Sequence, residues 1–352
     1  MKKSFLALAL MSAFSGAAFA QSSVTIYGLV DVGVQGLSNG NGKQAKVESG
    51  QESGSRLGFK GTEDLGGGLK ANFVLEQGIL VDTGASDQGG LTFGRRSFVG
   101  LSGDFGTVNL GRDKTPTFQL FDNFDPFGSG FINNGGGLKA IYFIGGKSTT
   151  ATTAANTTGR DSNAVFYYTP ATLGGFYAVG EYAAGEQAGD NSAGRSLGAT
   201  FGYKADGLDI AYNYVKDNAY SAKLVGSNGI KANTLAVNYD FGVAKPVFIY
   251  QKKSDDLGVS TKYFTLGVTV PVDASGKVLA SFTKVTDDTL NKSNVAIGAA
   301  KNFAVGYQYA LSKRTDVYTA FARTNQDATS AILGSVAGAN INEFTAGVRH
   351  QF

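Results

Sequence analysis

Cysteine is absent from the 352-residue chain, which excludes a disulfide scaffold and every thiolate metal site. A single histidine, His350, is far short of a multi-histidine metal site and offers one candidate base for a nucleophile. Tryptophan is missing, and both methionines, Met1 and Met11, fall within the first twenty residues. Charge is scarce as well: Asp, Glu, Lys and Arg make up 17% of the chain, and the formal net charge is +3. That balance gives no bulk basicity to recruit nucleic acid. Proline occurs five times. Beyond residue 20 no run of about 18 apolar residues occurs, so no transmembrane helix is expected.

The first twenty residues read as a secretory signal peptide. Met1-Lys2-Lys3 is a basic start, Phe5 to Phe14 is mostly apolar, and Ala18-Phe19-Ala20 is a small-x-small cleavage site. Cleavage there leaves one domain, Gln21 to Phe352, with a formal charge of +1, because Lys2 and Lys3 leave with the leader.

Glycine is abundant, at 50 residues, alongside 25 Phe and 16 Tyr. Abundant aromatics and low net charge do not describe a disordered chain; they describe short strands and tight turns. Period-two alternation dominates. Leu208, Ile210, Tyr212 and Tyr214 share one face, opposed by Asp209, Ala211 and Asn213. Leu235, Val237, Tyr239 and Phe241 oppose Thr234, Ala236, Asn238 and Asp240. The same pattern recurs over Phe264–Val270, Phe303–Tyr309 and Phe344–Phe352. One face is large and apolar; the other is small, amide or charged. A soluble sandwich also alternates, but its polar faces carry many Lys and Glu. A barrel in lipid turns the apolar face outward and lines a wet interior with small and polar groups.

Seven short Gly/Asp/Pro-rich turns punctuate the chain, at 63–68, 104–106, 170–175, 205–207, 241–244, 271–276 and 312–314. Eight longer polar connections alternate with them, near 37–53, 81–90, 115–159, 186–194, 217–231, 254–259, 286–302 and 324–340. With both termini on the short-turn side, this predicts an all-β, sixteen-stranded antiparallel transmembrane barrel. Sixteen to eighteen strands leave an aqueous channel, and closure satisfies every backbone group in lipid.

Several segments carry a family likeness: SSVTIYGLVDVGV at the mature start, SRLGFKGTEDLGGGLKANFVLE at 55–76, GRRSFVGLSGDFGTVNLGRD at 94–113, YQYALSKRTDVYTAF at 307–321, and the terminal AGVRHQF. Together they resemble the general porins of β-proteobacteria, of the Neisseria, Bordetella, Burkholderia and Comamonas type. The resemblance covers the whole mature chain. It implies an outer-membrane homotrimer of barrels, each pore narrowed by an infolded third external loop. The third long connection is the longest here, and holds Asp122-Asn-Phe-Asp-Pro-Phe-Gly128.

In a diffusion channel the site is a charged constriction. Leu57 and Phe59 claim the lipid face of the second strand, which sends Arg56, Gly58 and Lys60 inward. Leu69, Ala71, Phe73 and Leu75 face out of the third, leaving Lys70, Asn72 and Glu76 inside. In the fourth, Phe98 is read as outward, with Arg95 and Ser97 inside and Arg96 outward or beyond the apolar band. Asp31 is read as lumen-facing on the first strand. The resemblance assigns a basic constriction to Arg56, Arg95 and Arg160, and an acidic side to Glu76 and the loop carboxylates Asp122 and Asp125. It departs from the family most inside the third loop, which is Gly- and Thr-rich. Phe352, alternating with Val348, Ala346 and Phe344, resembles the signal read by the barrel-assembly machinery. His350 falls on the outward rim, and Tyr212, Tyr214, Tyr239, Tyr307 and Tyr309 suit the interfacial aromatic girdles.

The reading is therefore a passive pore for small hydrophilic solutes and ions with an anion preference, seated in outer-membrane lipid and lipopolysaccharide. No cofactor, metal or catalytic cycle is implied. A substrate-specific sugar or organic-acid channel would need an aromatic slide, and inward aromatics are read as few beyond Tyr27. An outer-membrane enzyme would need a histidine on the lumen face. An adhesin or structural barrel would need a sealed lumen.

Overall fold

The computed structural model describes residues 23–128, 159–218, 229–256, 260–287, 299–327, 336 and 338–352. The signal-peptide reading and most of the third long connection lie outside them.

Strand β1 spans Ser23–Ser38, and β2 comes in two segments, Lys43–Ser49 and Arg56–Gly66. Next come β3 (Leu69–Leu80), β4 (Arg96–Gly103), β5 (Gly106–Lys114) and the helix α1 (Pro116–Phe124). The wall continues with β6 (Arg160–Tyr168), β7 (Phe176–Ala183), β8 (Ser196–Ala205), β9 (Leu208–Asp217) and β10 (Ile230–Tyr239). It ends with β11 (Lys245–Asp255), β12 (Ser260–Pro271), β13 (Gly276–Asp287), β14 (Ala300–Ala310), β15 (Thr315–Gln326) and β16 (Ile341–Gln351). A two-residue ladder, Ala85–Ser86, folds back on Ile79 and Leu80 in the connection after β3.

Each wall strand pairs antiparallel with the next, and β16 closes on β1 from Leu29↔Gln351 to Ser38↔Asn342. Sixteen wall strands among the described residues match the number predicted from turn spacing. Closure leaves no open edge, the condition for strands in lipid.

Alternation decides which face is which. On β9, Ile210, Tyr212 and Tyr214 are exposed while Asp209, Ala211, Asn213 and Val215 are buried. Exposed apolar side chains recur around almost the whole barrel, among them Val24, Leu110, Phe201, Leu266, Phe303 and Phe344. A soluble monomer rarely shows so extensive an apolar belt; hydrocarbon is its natural solvent. The turns suit the strand twist. At Asp206-Gly207 both φ angles are positive (50° and 84°), the geometry of a type I′ hairpin turn.

The third long connection folds inward as it starts. Thr115 caps α1, accepting from the Phe118 N–H at 3.2 Å, and Pro116 opens the first turn. Thr117 Oγ1 donates to Asn213 Oδ1 at 2.9 Å. Leu120, Phe121 and Phe124 then pack on lumen-facing Ala211, Ala236, Ile249 and Tyr263. Phe121 meets Tyr263 edge-to-face at 6.4 Å. Phe127 continues the path over Leu279, Ala304, Tyr318 and Ala320. Burying a Phe or Leu fully stabilises by roughly 1.5–3 kcal/mol, so this row of apolar anchors holds the loop against the wall of β9 to β15.

The lumen side corrects one expectation. Inward aromatics are not few: Phe98, Phe166, Tyr263 and Tyr318 are all buried on the lumen side. Tyr263 and Tyr318 lie under an apolar cover from α1 and Phe127 that the alternation rule does not anticipate, whereas Phe166 packs with Ala164, Ala183 and Tyr168 of its own wall.

Candidate functional site

The second strand is broken at a defined place. Val32 pairs with Ser49 and Leu29 with Arg56, so six residues of β2, 50–55, stand against two of β1. The surplus bulges into the lumen, where Gln51, Glu52 and Ser55 are buried. Its far end places Arg56, whose Nη2 donates to Ser53 Oγ at 2.7 Å and whose Nε donates to the Gly54 carbonyl at 2.9 Å.

Facing this bulge, Arg95 Nε donates to Glu76 Oε1 at 2.7 Å, and both side chains are buried. Tyr27 donates to the other oxygen of Glu76 at 2.8 Å. A Cβ on Gly54 would lie 2.7 Å from Arg95 Nη1, so glycine there lets the guanidinium lie directly against the backbone. Arg160, at the head of β6, is buried with its guanidinium 4.9 Å from the Phe118 ring centroid of α1. Lys114, at the end of β5, pairs with Asp122 of α1 at 2.5 Å. Arg56, Arg95, Lys114 and Arg160 all lie within electrostatic reach of Asp122, of Glu76 or of one another. These four cations and two carboxylates meet at one waist, and Arg112, beside Asp161, lies within reach of Arg160 as well.

The remaining expected residues fall nearby. Lys60 points along the same wall, its Nζ 5.3 Å from the Tyr27 ring centroid. Lys60, Asn72, Phe98 and Asn109 line a shallow niche of about 310 Å³. Lys70 has the same parity at the rim, opposite Asp64. Asp31 is fully buried against the bulge. Asp125 ends α1 as its C-cap, and its carboxylate accepts the Phe127 N–H at 2.9 Å, which turns the chain along the wall. Phe352 is tied to β1 by two backbone bonds with Gly28, at 3.1 and 3.2 Å. His350 is exposed on the rim, with Nδ1 2.8 Å from Thr315 Oγ1.

The face reading of β4 is overturned. Phe98 pairs with Val74 on the inner face and is buried, whereas Val99 and Leu101 are exposed. Ser97 consequently lies on the outer face, and Arg96 lies inside, held in a fork by Asp113 with both contacts at 2.8 Å. Phe98 and Val99 are adjacent apolar residues, so the parity hung on which was taken as lipid-facing; Leu101 settles it for Val99. Arg95 still enters the lumen because it precedes the strand. Lys114 and the Arg96–Asp113 pair escaped the sequence reading for a related reason. The register shifts between Gly111 and Asp113, and such a bulge breaks the alternation beyond Leu110.

Comparison with known proteins agrees with the barrel architecture. A family model described as Gram-negative porin matches residues 7–329. The chain is 36% identical to outer membrane porin protein 32 of Delftia acidovorans, over the full length of both. It is 29% identical to an outer membrane porin protein of Bordetella pertussis, again over both full lengths. Among solved structures, the anion-selective porin from Comamonas acidovorans superposes with a TM-score of 0.77 at 33% identity, covering 94% of this chain and all of that one. The trimer form of OmpT from Vibrio cholerae, at 16% identity and a TM-score of 0.67, shares the fold. The chain belongs to the Gram-negative porin family.

Proposed function

We propose that the chain forms a water-filled general diffusion pore in the outer membrane of a Gram-negative bacterium, passing small hydrophilic solutes and ions with a preference for anions. The observation that carries the sign is the waist itself: Arg56, Arg95, Lys114 and Arg160 against Glu76 and Asp122. A surplus of fixed positive charge beside a low-dielectric wall raises anion occupancy and lowers cation occupancy without tight binding. The Arg96–Asp113 fork is internally neutral and adds little to that sign.

The Comamonas relative is named for anion selectivity, and this chain brings a basic waist to the same fold. A trimer is the assembly in keeping with a porin of this size. Lipopolysaccharide and membrane lipid surround the apolar belt, the barrel-assembly machinery inserts the chain, and residues 1–20 direct export. No reaction is assigned, since the sole histidine lies on the outward rim beside Thr315. The test is the zero-current potential of the purified protein in a planar bilayer across a tenfold KCl gradient. The proposal expects the sign of chloride preference; potassium preference, or no conductance, overturns it.

A further inference from the structure

The inward bulge of β2 is held by groups that lie outside the basic waist. Asp31 sits opposite it on β1, fully buried. Its Oδ2 accepts the backbone N–H of Glu52 at 3.0 Å and of Ser53 at 2.6 Å, and its Oδ1 accepts the Tyr318 hydroxyl at 2.5 Å. Its own backbone completes the clasp. The Asp31 N–H donates to Ser55 Oγ at 2.9 Å, and the Asp31 carbonyl accepts from Gly50 N–H at 2.8 Å. Behind it, Arg349 grips Asp316 through Nε and Nη2 and reaches Glu52 Oε1 with Nη1 at 2.9 Å. Gln308 also donates to Glu52. Strands β14, β15 and β16 thus reach over to fix a segment that belongs to β2.

That segment carries the waist. Ser53 and Gly54 hold the Arg56 guanidinium, and Gly54 is the surface on which Arg95 lies. Backbone bonds hold only the ends of this segment, from Gly50 N–H to the Asp31 carbonyl and from Ile79 N–H to the Ser55 carbonyl, which leaves the depth of its middle in the lumen undefined. Charge-assisted bonds donated by two successive N–H groups, of Glu52 and Ser53, to the buried Asp31 carboxylate define it.

We infer that Asp31, braced by Tyr318, is a positioning residue for ion selectivity: it fixes the 50–55 bulge at the depth that sets Arg56 and Arg95 side by side in the lumen. The inference rests on the proposed anion-preferring pore. It makes a prediction opposite in sign to simple charge counting. Neutralising Asp31 removes a negative charge from the lumen side, which by itself would strengthen anion preference. If Asp31 acts by position, its loss lets the bulge relax toward the wall, Arg56 loses its two anchors, and the waist widens.

The experiment compares wild type, Asp31→Asn and Tyr318→Phe as purified full-length protein in planar bilayers, reading zero-current potential across a KCl gradient whose dilute side is 0.1 M, where the Debye length is about 10 Å, and single-channel conductance in symmetric 0.1 M KCl. Tyr318→Phe changes no charge and removes one bond to Asp31, so it tests position alone and remains available should Asp31→Asn assemble poorly. Both variants are expected to raise conductance and to lower the chloride-to-potassium permeability ratio, by about twofold or more. Asp31→Glu, which keeps the charge but lengthens the reach, should fall between them and wild type. The inference is overturned if Asp31→Asn raises the chloride preference at unchanged conductance, or if Tyr318→Phe matches wild type in both. A wild type without chloride preference would overturn the pore reading instead, so the two failures are distinct.

Discussion

Glu76 is the carboxylate most deeply set among the basic groups of the waist, and replacing it with Gln isolates its electrostatic part. Gln keeps an oxygen within reach of Arg95 Nε, now 2.7 Å from Glu76, and keeps a partner for the Tyr27 hydroxyl. Geometry is therefore retained while the carboxylate charge is lost. A unit charge about 4 Å from a passing ion is worth about 1 kcal/mol in bulk water, close to a fivefold change in occupancy; at about twice that distance it is worth half as much, about twofold. Because the same charge repels chloride and attracts potassium, the ratio changes by the square of that factor, and Glu76→Gln should raise the chloride-to-potassium permeability ratio by about five- to thirtyfold at low salt. Screening over about 3 Å at 1 M should remove most of the gain. Zero-current potentials of wild type and variant at both salt concentrations make the measurement. An unchanged or falling ratio at low salt would refute the view that this waist sets selectivity by its fixed charge.

Three further outcomes follow from the barrel's construction. A Cβ on Gly28 would lie 2.3 Å from Phe352 Cζ and 2.7 Å from the Arg56 carbonyl, so Gly28→Val should sharply lower the fraction of heat-modifiable folded barrel on gels; a normal fraction would show that the β1–β16 seam is looser than described. Deleting Phe352 removes both backbone bonds to Gly28 and should reduce the amount of barrel recovered in outer membranes, which immunoblotting of membrane fractions reads directly. Phe121→Ala removes the ring packed on Tyr263, at a cost of about 3–5 kcal/mol for a well-packed Phe. It should loosen α1 and make single-channel current noisier; quiet current at wild-type amplitude would count against the apolar anchoring of the loop.

The barrel was legible because lipid imposes a simple rule. Alternation at Ile210, Tyr212 and Tyr214, and turns such as Asp206-Gly207, follow from local sequence and suffice to number and orient strands. The inward positions of Arg56 and Glu76 follow from the same parity, since Leu57 and Phe59 on one strand and Phe73 and Leu75 on the next mark the opposite face. The reading failed where parity has no local anchor. Phe98-Val99 offers two equivalent choices, the bulge after Gly111 shifts the count, and the break at 50–55 was absorbed into a loop. Equally invisible was the clasp of Asp31 by Tyr318, residues far apart in sequence that meet only when β16 closes on β1. Tyr263 and Tyr318 were hidden for a further reason: an inward aromatic violates the rule until α1 and Phe127 are known to cover that wall.

The central claim is that the basic side chains of one waist give the pore its sign. Replacing Arg56, Arg95 and Arg160 together with Gln, and measuring the zero-current potential across a tenfold KCl gradient at low salt, tests it most directly. Glu76 and Asp122 remain in that variant, Lys114 still pairs with Asp122, and the barrel ladder is untouched. The account predicts an open channel whose potential moves from chloride preference toward potassium preference. A triple variant that conducts with its chloride preference unchanged would contradict it.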